Sequence, residues 1–147
     1  APQAVNQTEQ FVEDTLAHHE PMQVRLMTEA PGAPAAVRML HVVEAADGGA
    51  PASAVALLRS EDGRWEGAVV GETAVLFAQE VAQPAPAALR YSAPAAATTH
   101  LITGLPPGSR YDVHLSDEGG SVTVTITAGA QMQADQGGVL VVQPGAE

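Results

Sequence analysis

Five histidines and four methionines are the side chains of this chain best suited to hold a metal. His18 and His19 are adjacent, with Met22 and Met27 close behind, and imidazole combined with thioether suits copper. Neighbouring histidines rarely converge on one ion, however, and methionine at strand spacing ordinarily fills a core. His41, His100 and His114 fall on three separate strand-like stretches, and the outward register of His114 against Tyr111 and Val113 works against their meeting. Acidic turns at Glu61-Asp62, Asp117-Glu118 and Asp135 offer oxygen atoms of the kind calcium takes. None has the spacing of a calcium-binding loop, and acidic turn residues commonly bond their own backbone. No metal and no cofactor is expected.

Catalytic groups are equally thin. Ser109 stands between Gly108 and Arg110 and lacks the second glycine of a nucleophile elbow. A carboxylate pair for glycoside hydrolysis would have to be assembled across the fold, and no acidic residue lies inside an apolar strand. Cysteine is absent, which removes disulfides, thiolate metal sites and a cysteine nucleophile. All six basic residues are arginine, so Schiff-base chemistry and a phosphate-binding lysine are also excluded. A net charge of -11 repels nucleic acid and anionic membranes, and no apolar run of about 18 residues is present to insert in a bilayer. Trp65 and Tyr91 are the pair of rings that could stack on a glycan, and Asn6-Gln7-Thr8 is an N-glycosylation acceptor pattern. Enzymatic activity is not expected.

The elements that must position these residues are mostly strands. Residues 1–21 stand apart as an acidic arm or short helix: Asn6 can cap it, Glu9 closes a capping box, and Val5, Phe11, Val12 and Leu16 gather near one face. From Met22 the period is two, and residues 22–147 form a single domain. Met22–Met27 is a first strand. Val37–Glu44 carries apolar residues on both faces, as a central strand covered on both sides would, and Asp47-Gly48-Gly49 turns the chain. Ser53–Arg59, Trp65–Val70 and Thr73–Gln79 form a meander through turns at Glu61-Asp62-Gly63 and Gly71-Glu72. Ala88–Ser92, Thr99–Thr103, Tyr111–Leu115, Val122–Ala128 and Gly138–Val142 follow, with Val122, Val124 and Ile126 inward and the intervening threonines outward. About ten short strands with turn chemistry between them predict an all-β fold, an antiparallel β-sandwich of immunoglobulin, fibronectin III or jelly-roll type.

Two resemblances attach to these stretches. Leu105-Pro106-Pro107-Gly108-Ser109-Arg110-Tyr111 resembles the fibronectin type III corner, which implies that Leu105, Pro107 and Tyr111 are scaffold, with the Tyr111 hydroxyl bonded locally. More widely, RMLHVVEAADG from Arg38, GETAVLFAQ from Gly71, TTHLITGLPPGSRYDV from Thr98 and GGVLVV from Gly137 resemble the C-terminal β-sandwich of secreted heparinase II/III-like polysaccharide lyases. That resemblance implies a sandwich in an extracellular setting. It carries over no catalytic residue, because the lyases keep theirs mainly in a helical barrel and a central sheet domain for which this chain has no room. The opening at Ala1, without an initiator methionine, is consistent with a secreted chain whose signal peptide has been removed.

These features point to a secreted, non-enzymatic structural protein that assembles with itself into a fibre or surface layer. Residues 1–21 would be the linking arm, since a polar arm needs a surface to lie on and a sandwich needs its edge strands hidden. A carbohydrate-associated accessory module related to polysaccharide lyases is the alternative, with polysaccharide as its partner; a lyase or hydrolase is a further one. A homopolymer is the expected partner state, with no nucleic acid and no membrane insertion.

Overall fold

The computed structural model describes residues 3–5, 25–32, 34–45, 47–80 and 85–143. The chain divides into two compact units, residues 1–39 and 40–147, so the boundary expected at residue 22 lies inside the first. In that unit β1 (Gln3–Val5) pairs antiparallel with β2 (Arg25–Met27), matching Val5 with Arg25. Val5 therefore belongs to a strand and not to a helix face. Phe11, Val12, Leu16, Asn6 and the rest of the expected helix lie outside the described residues, as do His18, His19 and Met22.

Residues 40–147 hold a β-sandwich with no helix among the described residues. One sheet is built from β3 (Val55–Arg59), β4 (Trp65–Val70), β5 (Thr73–Ala78), β7 (Thr99–Ile102) and β11 (Leu140–Val142), in the order β11-β7-β5-β4-β3. The other is built from β6 (Ala88–Pro94), β8 (Arg110–Asp117), β9 (Ser121–Ala128) and β10 (Met132–Gln133), in the order β10-β8-β9-β6. The β3-β4-β5 meander follows the expected turns: Gly71-Glu72 joins strands paired at Val70 and Thr73, with Gly71 at φ 57°. Among the described strands all pairs are antiparallel except β5 and β7. The chain crosses to the opposite sheet to form β6 between them, so it re-enters beside β5 running in the same direction, as a parallel pair requires.

Alternation determines the core. Trp65, Val69, Ala74, Leu76, Ile102, Leu140 and Val142 of one sheet meet Leu89, Tyr91, Tyr111, Val124 and Ile126 of the other. Thr123, expected outward, is nearly covered as well. Leu105 is buried and Pro107 exposed at the corner before β8, which is tied down by Leu105 N–H donating to the Gly138 carbonyl (3.1 Å) and Ala134 N–H to that of Ser109 (2.9 Å).

The expected central strand Val37–Glu44 is not a strand. Residues 37–45 make no ladder and all are exposed, Val43 at 89%. An apolar pattern on both faces asks for two covering layers and paired edges, and this segment has neither in the isolated chain.

Candidate functional site

The most chemically capable group in the core is His100 on β7. It faces inward beside Tyr91 of β6, so the contact joins the two sheets. The Tyr91 hydroxyl lies 2.9 Å from His100 Nδ1, and His100 Nε2 lies 3.1 Å from the Ala97 carbonyl. A carbonyl only accepts, so Nε2 carries the proton and Nδ1 accepts from the tyrosine. Burial pushes the His100 pKa down, against the opposing bond to Ala97, and burial pushes the Tyr91 phenol up. Both side chains are fully enclosed, which leaves this neutral pair as a clamp between sheets with no route to a substrate.

The tyrosine at the corner ends differently. Tyr111 is fully buried, and no group meets its hydroxyl at full hydrogen-bond geometry; the Ser109 hydroxyl, two residues back in the corner, is the local neighbour it has. Burial raises its pKa and the neighbouring Ser109 hydroxyl offsets part of that rise. Trp65 also lies wholly inside, with Nε1 donating to the Thr103 carbonyl at 3.0 Å. Trp65 and Tyr91 thus cannot serve as glycan platforms: each ring is consumed by the core, because inward register on β4 and β6 aims it at the opposite sheet.

The acidic turns are occupied by their own backbone. Asp135 Oδ1 accepts from the N–H groups of Gly137 and Val139, Asp117 Oδ1 from Gly119, and Asp62 Oδ1 from Arg64 and the Ser60 hydroxyl. His41 and His114 are exposed while His100 is buried, so the three histidines stay apart. Among the described residues no group of three or more His, Asp or Glu side chains is gathered to hold a metal ion.

What the fold does bring together is apolar and on the outside. The register of the five-stranded sheet lines up Leu57, Ala68, Val75, Leu101 and Val141, one from each strand, on the face away from the core. Leu57 is 68% exposed and Val141 45%, with Val55 and Phe77 exposed on the same face, while Val75 and Leu101 in the middle of the row are half-buried and Ala68 is buried. At its β3 end this sheet meets a half-open hairpin. The Asp47–Ala50 turn is closed by Ala50 N–H on the Asp47 carbonyl (2.9 Å), and Glu44 accepts from Ser53 through both the hydroxyl (2.6 Å) and the N–H (2.8 Å). Those bonds, the hydroxyl one foremost, lower the Glu44 pKa. Beyond Glu44 the two arms part around a groove of about 410 Å³, lined by Val42, Glu44 and Asp47 on one side and Ala52, Ser53 and Val55 on the other.

Neither the row nor the hairpin was among the candidate residues drawn from sequence. The available signal was that Val55 and Leu57 alternate with Ala56 and Leu58, so β3 has apolar side chains on both faces. Compared with family models, with curated proteins and with solved structures, the chain matches none.

Proposed function

We propose that this chain is a non-enzymatic structural subunit that associates with copies of itself in a fibre or surface layer outside the cell. The observation that carries this is the apolar row on the outer face of the five-stranded sheet, running from Leu57 to Val141 in one register. Large apolar side chains exposed together on one face, here Val55, Leu57, Phe77 and Val141 around a half-buried middle, mark an interaction site. A sheet-built face suits another sheet, and a second copy of the chain presents the same face. The extracellular setting comes from the resemblance to the sandwich of secreted polysaccharide lyases. The accessory-module alternative loses support because both rings it needed, Trp65 and Tyr91, are buried.

Sedimentation velocity over a concentration series tests the proposal. The chain should form multimers, and the double substitution Leu101→Glu and Val141→Glu should return it to a monomer with unchanged far-ultraviolet circular dichroism. A wild-type chain that stays monomeric at the highest concentration would sink the proposal.

A further inference from the structure

The edges of the two sheets differ in how well they are guarded. β10 and β11 are edge strands of two and three residues. β6 ends in Pro94, and Glu61 N–H covers its Arg90 carbonyl at 2.8 Å. Short strands, proline and covering loops are the usual protections against edge-to-edge pairing. β3 has none of them: it is five residues long, lacks proline and lysine, and exposes Val55 and Leu57. Gly71 N–H bonds the Ala54 carbonyl and Ser60 N–H that of Trp65, so the even-numbered residues of β3 face β4. By ladder alternation the main-chain groups of Val55, Leu57 and Arg59 face away from β4, toward the open arm.

The arm matches that edge. The Glu44 carboxylate is bonded at Ser53, and setting these two residues opposite one another would place Val42 opposite Val55 and Leu40 opposite Leu57. In this register Leu40 would extend the outer apolar row by one residue. Yet the arm forms no ladder with its own β3, although the Glu44–Ser53 bonds hold it beside that strand. Pro51, which has no N–H to give, follows the turn immediately. A hinge constrained by the closed Asp47–Ala50 turn and by Pro51, next to an unpaired edge strand, favours exchange between copies over closure within one.

We infer that residues Leu40–Glu44 of one copy pair antiparallel with β3 of a second copy, in the register that Glu44 and Ser53 set. This rests on the self-association proposed above and names its contact. The exchange replaces the Glu44–Ser53 bonds with the same bonds in trans, and supplies Val55, Leu57 and Arg59 with the ladder partners they lack.

The absence of native cysteine makes the test direct. Chains carrying Leu40→Cys are mixed with chains carrying Leu57→Cys and treated with a short bismaleimide, with His114→Cys replacing the second variant as the control on the other sheet. The Leu40/Leu57 mixture should give covalent heterodimer at least tenfold faster than the control. As a second measurement, Val42→Pro, which removes the arm's central donor, should weaken association at least tenfold without moving the melting temperature. Equal rates in the two mixtures, or a chain bearing both Leu40→Cys and Leu57→Cys that bridges only within itself, would overturn the inference. Sedimentation of the unmodified chain separates the two failures. Multimers without the cross-link would leave the self-association standing and remove the arm, whereas a monomer would remove both.

Discussion

Tyr91 and Tyr111 are both fully enclosed phenols, one donating to His100 Nδ1 and the other with only the Ser109 hydroxyl near it, short of full hydrogen-bond geometry. Removing their hydroxyl groups should therefore act in opposite directions. Tyr91→Phe strands a buried acceptor and should cost about 1–3 kcal/mol, while Tyr111→Phe removes a poorly paired buried hydroxyl and should be neutral or stabilise by about 1 kcal/mol. Urea unfolding of the two variants decides it, and a loss at Tyr111 comparable with that at Tyr91 would show a partner for its hydroxyl. His100 adds a pH dependence. Its folded pKa lies below the ordinary 6.5, so as the pH falls through that value the unfolded chain takes up a proton before the folded one does. The contribution of His100 is thus intact above about pH 6.5 and lost progressively below it, down to the folded pKa. His100→Gln, which keeps an acceptor and a donor, should flatten the stability profile just below pH 6.5; an unchanged slope there would mean that the buried imidazole does not titrate differently on folding.

Among the elements, the corner before β8 and the strand β11 are held together through Gly138. Its φ is +74°, and a Cβ there would lie 2.1 Å from the Leu105 carbonyl oxygen. Gly49, in the Asp47–Ala50 turn, also has a positive φ, +87°, but nothing lies within 4 Å of a Cβ at that position. Gly49→Ala should cost only the backbone strain, roughly 1–2 kcal/mol. Gly138→Ala should cost clearly more, because the corner must also move. Thermal melts of the two variants provide the comparison, and equal costs would mean that the corner yields freely. The same contrast separates two parts of the fold: the Leu105–Gly138 junction is closed and packed, whereas the turn at Gly49 leads into a stretch, residues 40–44, that forms no ladder.

For the whole molecule, charge and surface oppose one another. A net charge of -11 pushes copies apart, and the apolar row on the five-stranded sheet draws them together. The Debye length falls from about 10 Å at 0.1 M salt to about 3 Å at 1 M, so added sodium chloride screens the repulsion and leaves the apolar contact. Multimer mass in light scattering should therefore rise with salt. A fall would point instead to an interface held by ion pairs, such as the exposed Arg59–Glu66 and Arg90–Glu61 contacts.

Local pattern was enough to specify the strands that alternate cleanly and the turns between them. Val122, Val124 and Ile126 could be placed inward, and Gly71-Glu72 could be identified as a tight turn, because side-chain alternation and glycine's access to positive φ act within a few residues. The same local pattern misassigned Val37–Glu44, whose apolar residues look identical whether a partner covers them or not. Burial of Trp65 and Tyr91, the poorly paired Tyr111 hydroxyl, the parallel β5–β7 pair and the row from Leu57 to Val141 were decided only in three dimensions. Each depends on which distant strands become neighbours and in what register, and that choice is made by the packing of two sheets, not by the residues on either side in the chain.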